Sequence, residues 1–173
     1  VNKDINKAYI FSLRPDIAIA NSISDRAILV FDGDIDYRGI AFFCVGSMED
    51  EKQKETAIQG LINLGCDADA VDAYLASNLL VGYGNLVQSF EYQNDSQWIQ
   101  DQGLHGISIR FNQAKEIIGD RLFAYVFTGN KFSQDPVPTT KSAVGEAWQV
   151  LDIREIYQCE ELYKRPVASF EEN

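Results

Sequence analysis

The sequence predicts a single α+β domain over residues 1–173, with a mainly antiparallel sheet and a helical hairpin in its first half. Three observations carry this. Strand-forming apolar runs lie either side of the turn residues Asp32-Gly33. Apolar residues recur at helical spacing between Ser47 and Val81. Runs rich in β-branched and aromatic residues then return in the second half.

Residues 8–13, Ala-Tyr-Ile-Phe-Ser-Leu, form the first predicted strand and stop before Arg14-Pro15. Residues 16–24 suit a short helix, although Ile17, Ile19 and Ile23 also fit extended chain. Residues 27–31 read as a strand, Asp32-Gly33-Asp34 as a turn, and residues 35–45 as the antiparallel partner. Ser47-Met48-Glu49-Asp50 resembles a capping box at a helix start, and Glu49, Asp50 and Glu51 suit the positive end of the helix dipole. Ala57, Ile58, Leu61, Ile62 and Leu64 make its apolar stripe, which Gly65 terminates. A second helix is expected over residues 69–80, closing the hairpin. Strands follow at 86–92, 105–111 and 121–128, with a short helix at 113–118. Residues 133–140, holding Pro136 and Pro138, read as a loop. Trp148-Gln149-Val150-Leu151 suits a strand and residues 153–163 a helix, and the tail at 169–173 is expected to fray.

The chain has 173 residues, 46% hydrophobic and 24% charged, values that exclude a collagen-like or wholly disordered protein. No run reaches the ~18 apolar residues of a membrane span. Residues 1–7 lack the apolar run of a signal peptide. Cys44, Cys66 and Cys159 are odd in number and far apart, as expected of reduced thiols in a cytoplasmic protein. With one histidine, His105, and no C-x-x-C, no structural zinc site is expected.

Few motifs carry chemistry. Asp32, Asp34 and Asp36 alternate like the opening of a calcium loop, but Tyr37 and Phe43 stand where that loop needs glycine and a bidentate glutamate. Gly82-Tyr83-Gly84 lacks a P-loop lysine and precedes a strand. His105 lies in Gly103-Leu104-His105-Gly106 and reads as a turn-proximal surface residue. No cofactor or metal is expected. One enzyme constellation needs no histidine: ADP-ribosyltransferase folds commonly use an Arg after a first strand, a Ser on a middle strand and a later Glu. Arg14, Ser89 and Glu146 or Glu160 keep that order, although Glu91 stands where a second Ser or Thr is usual.

Charge is the strongest clue. Against 15 Lys+Arg stand 26 Asp+Glu, for a net charge of -11. A surface for direct nucleic-acid binding needs the opposite sign. Between Lys54 and Arg110 there is no Lys or Arg, while Glu55, Asp67, Asp69, Asp72, Glu91, Asp95 and Asp101 fall in that interval. The acids Asp32, Asp34, Asp36, Glu49, Asp50, Glu51, Glu55, Asp67, Asp69 and Asp72 are the expected partner-binding residues. Such a field speeds encounter with a basic partner. The expected function is non-catalytic: an acidic inhibitor that blocks a basic nucleic-acid enzyme such as a nuclease, of toxin-immunity or anti-defence type. The alternative is an ADP-ribosyltransferase-like enzyme that uses NAD.

Overall fold

The computed structural model describes residues 5–168. After a 3-10 turn at Ile5–Lys7, the elements run β1 (Tyr9–Leu13), α1 (Pro15–Ile23), β2 (Arg26–Phe31), β3 (Gly39–Val45), α2 (Glu51–Asn63), α3 (Ala68–Ala76) and β4 (Leu79–Glu91). There follow α4 (Asp95–Gln100), α5 (Gln102–His105), α6 (Phe111–Ile117), β5 (Phe123–Pro138), β6 (Ala147–Gln149) and α7 (Ile153–Lys164). The strands form one sheet in the order β2-β5-β4-β3-β1-β6. Every pairing is antiparallel except β1 with β3. The expected α+β class and mainly antiparallel sheet are therefore present.

The sheet is strongly curled. In a flat sheet β1 and β2 would stand about 19 Å apart, four strand spacings. Instead the Phe11 ring on β1 lies 5.7 Å from Phe31 on β2 and 5.3 Å from Phe127 on β5. The result is a half-barrel whose concave face holds the main core, including Phe11, Phe43, Phe127 and Tyr125, closed by Ile19 of α1, Leu61 of α2 and Tyr74 of α3. The convex face carries two further cores. Helix α7 covers one with Cys159 and Leu162 against Ile10 and Phe42, while α4 and α6 cover the other with Trp98 and Phe111 against Ile28 and Val126.

The antiparallel hairpin expected at residues 27–45 is absent. β2 pairs with β5 in full register from Arg26↔Thr128 to Phe31↔Phe123, and β3 lies between β1 and β4. Residues 123–127 are buried on both faces of the sheet, so this stretch needs a neighbour on each edge, and β2 supplies one. Ile35 and Tyr37, expected at the start of the second strand, instead dock onto the concave core from an irregular crossover. Tyr125 OH donates to Gly33 O and the Tyr37 ring lies tilted against Tyr9 with ring centres 4.6 Å apart, pinning that crossover.

Other boundaries also move. Asp50, not Ser47, caps α2, accepting from Lys52 N at 2.9 Å, and Ser47 bridges to Ala143. Helix α3 ends at Ala76 because Asn78 turns the chain, donating to Val45 O and Ser142 O, and Leu79 and Leu80 open β4. Residues 105–111 are not a strand: α5 stops at Gly106 (φ 69°), and Ile107 and Ile109 pack on the convex core from coil. The expected loop at 133–140 is largely the second half of β5, which pairs there with β4 alone; prolines are tolerated on such an unpaired edge. The tail at 169–173 lies outside the described residues.

Candidate functional site

All ten carboxylates singled out by sequence are exposed, and the fold sorts them into groups. Asp32, Asp34 and Asp36 lie on the β2–β3 crossover. Asp34 accepts from Ser89 Oγ at 2.6 Å and from Ile35 N, and Arg38 donates to the same Ser89 oxygen at 2.7 Å. Asp32 borders a cavity of about 410 Å³ that Gln53 of α2 also lines; none of the other nine carboxylates lines it. Glu49, Asp50, Glu51 and Glu55 belong to that helix start, where Lys54 approaches Glu51 at 3.5 Å. Asp67, Asp69 and Asp72 form a separate group on α3, past the far end of α2. Asp67 caps α3 by accepting from Ala70 N at 2.8 Å.

Asp50 and Asp67 are thus structural as well as acidic. Each satisfies an amide that a helix start leaves unpaired.

The groups proposed for transferase chemistry are not gathered. Arg14 lines the 410 Å³ cavity and a second one, and neither includes Ser89, Glu146 or Glu160. Its guanidinium is held bidentately by Asp16, at 2.6 and 2.9 Å. Ser89 serves the Asp34–Arg38 bridge, Glu146 lines a different cavity with Trp148 and Glu155, and Glu160 lies on α7.

His105 lines both cavities that Arg14 shares, but it is not the surface residue expected from its turn. It stacks on Trp98 at 4.1 Å, its Nε2 faces Trp98 O at 3.0 Å, and its Nδ1 accepts from Ile107 N at 2.9 Å. Those partners assign the proton to Nε2. Burial pulls its pKa below the ordinary value, so the ring is neutral at pH 7. Both ring nitrogens hold the 98–107 segment together.

The thiols sit in apolar surroundings. Burial raises Cys44 to about 11 and raises Cys159 further, while Cys66 shifts upward by partial burial and the neighbouring Asp67 carboxylate. Raised thiols are poor nucleophiles. Tyr125 is also pushed up to about 12, first by burial and then by Asp34 and Asp32. Among the described residues no group of three His, Cys, Asp or Glu side chains is placed to hold a metal ion. Nor is any described helix long and apolar enough to cross a membrane.

Sequence reasoning missed α4 and the floor of the second cavity. Helix α4 had a readable signal: Asn94 accepts from Gln97 N while Gln97 Oε1 accepts from Gln93 N, close to a capping box. Asn21, Arg26 and Gly60, which meet around the second cavity, carried no local signal.

The class these features define is an α+β domain on a curled mixed sheet, with exposed carboxylates on its crossover and at its helix starts and a two-lobed cleft that Asp32 borders. No protein-family model matches the chain. No curated protein matches it either.

Proposed function

We propose that this chain is a non-catalytic, acidic protein-binding inhibitor of a basic nucleic-acid enzyme, of the toxin-immunity or anti-defence kind, acting in the cytoplasm. The observation that carries the reading is the exposure of all ten carboxylates in a chain of net charge -11. An enzyme that binds phosphate must present cationic side chains, and a rigid acidic surface can cover them without chemistry. Such fields raise association rates by about 10–10³. The neutral, doubly engaged His105 and the raised thiols agree with a protein that works by contact.

The test is capture of the partner from the producing cells, its identification by mass spectrometry, and titration of this chain into that partner's nuclease assay. Inhibition complete at one equivalent is expected. A captured partner whose surface is not cationic, or nuclease activity indifferent to excess chain, would reject the reading. NAD turnover lost on Arg14→Ala would favour the transferase alternative instead.

A further inference from the structure

We infer that the free edge of β6 and the cavity beside it bind an extended segment of a basic partner protein. The segment's backbone pairs with Ala147 and Gln149, and one of its lysine or arginine side chains seats between Trp148, Glu146 and Glu155. That the partner is basic rests on the inhibitor reading; the site itself lies apart from the ten carboxylates assigned to that surface.

β6 is an edge of the sheet and pairs with β1 alone. Ser12 N donates to Glu146 O and Val150 N to Ala8 O, in the register of that ladder. Glu146, Trp148 and Val150 therefore direct their backbone groups to β1, and Ala147 and Gln149 turn theirs outward. Both residues are exposed, and their backbone groups have no backbone partner among the described residues. Such an edge is a template for an added strand. Antiparallel addition bonds one residue to Ala147 and another to Gln149, and sets the residue between them beside Trp148.

The side chain of that middle residue falls on the face of the sheet that Trp148 occupies, where a cavity of about 400 Å³ opens. Glu155 of α7 lines it and is 9% exposed. Its Oε2 accepts from Trp148 Nε1 at 2.7 Å, while its Oε1 has no partner among the described residues and is not sealed from solvent. A carboxylate so far buried with no cation beside it forfeits hydration without return. Glu146 is exposed, lines the same cavity and also lacks an ion pair among the described residues. Lys141 lines it too but pairs with neither glutamate, so carboxylates are in excess. An ammonium or guanidinium meets those carboxylates and the Trp148 ring together. Just past the edge, Leu151 and Ile153 are exposed and give the segment's flank an apolar surface.

The probe is the peptide acetyl-Thr-Val-Lys-Val-Thr-amide, titrated into the whole chain and followed by NMR and amide hydrogen exchange. In the free chain the Ala147 and Gln149 amides should exchange fast, and those of Trp148 and Val150, bonded to β1, slowly. Saturable binding is expected to slow exchange at Ala147 and Gln149 at least about tenfold and to shift the Trp148 indole N–H signal. Replacing the peptide lysine by methionine or glutamate should weaken binding at least about tenfold. N-methylation of the peptide valines, whose N–H groups face β6, should abolish binding, and N-methylation of the lysine should not. Glu155→Gln keeps an acceptor for Trp148 and should weaken the lysine peptide at least about tenfold; if it fails to fold, Glu146→Lys, at an exposed position, reports the same loss. No saturable binding would overturn the proposal. So would equal binding of the methionine peptide, or unchanged exchange at Ala147 and Gln149 in the bound state. Protection of those amides that grows with the concentration of the free chain would assign the edge to a second copy, which also overturns it. No nuclease enters this experiment, so its failure leaves the inhibitor reading standing, and failure to capture a cationic enzyme leaves the peptide result standing.

Discussion

Gly60 lies inside α2, where replacing glycine by alanine ordinarily stabilises a helix by about 1 kcal/mol. Here the opposite is expected. A Cβ at residue 60 would stand 2.6 Å from Asp16 Cβ and 2.7 Å from Asp16 Cγ, far inside contact distance. Asp16 cannot swing away, because Arg14 grips both of its oxygens and its side chain is only 11% exposed. Relief must come from α1 and α2 moving apart, which disturbs the packing of Ile19 and Leu61 in the concave core. Overpacking costs about 1–3 kcal/mol, and an overlap this deep with carbons held in place takes the upper part of that range, about 2–3 kcal/mol, so with the helix gain deducted Gly60→Ala should lose about 1–2 kcal/mol. For a chain of this length that is about 2–8 °C in Tm. Urea unfolding followed by circular dichroism measures it directly. In an Asp16→Gly background, where the opposing Cβ and carboxylate are gone, the same Gly60→Ala change should become neutral or stabilising. A Gly60→Ala protein as stable as the parent would refute the reasoning.

His105 supplies a pH prediction: burial holds its folded-state pKa below the unfolded value of 6.5, so its contribution is full above that pH and is lost as pH falls toward the folded value. The urea midpoint should drop on going from about pH 7.5 to about pH 5.5, and His105→Gln should show a smaller drop; equal slopes would contradict this. Cys66, the partly exposed thiol, should alkylate first in native protein at about pH 8, with Cys44 and Cys159 reacting only on unfolding, as timed labelling and mass spectrometry would read. Asp67→Ala should cost about 1 kcal/mol as a lost N-cap, while Asp69→Ala costs little. Equal urea midpoints for those two variants would remove the cap assignment.

Local patterning made α2, β1 and α7 legible: the two helices each bury one apolar stripe, and β1 is a short strand-forming run that stops before Arg14-Pro15, whereas residues 16–24 fitted helix and extended chain alike. Strand partners were not legible. Residues 27–31 and 35–45 each look like strands that a turn could join, yet β2 is claimed by residues 123–128, far along the chain. The preference comes from packing on both faces of β5, which no window around Asp32 contains. The packing role of two strand glycines was hidden for a related reason. Gly82 and Gly84 are not a phosphate loop; they let Ser22 and Asn130 approach the sheet, and a Cβ at either position would collide with them. The acidic residues were read correctly as exposed, but Asp50 and Asp67 double as caps, a role set by where the helices begin. The second cavity was invisible, since Asn21, Arg26 and Asn63 meet only when α1, α2 and β2 pack.

The central claim is that the acidic surface is the working surface. Its most direct test is the association rate with the captured nuclease, measured across salt for the parent and for a variant carrying Glu49, Glu55, Asp69 and Asp72 changed to lysine. Asp50 and Asp67 are left in place because they cap helices. The expected result is a parent rate falling at least about tenfold between about 50 and 500 mM salt, as screening shortens to a few Å. The reversed variant, still folded, should associate at least about tenfold more slowly at low salt. Rates indifferent to both salt and charge reversal would contradict the account.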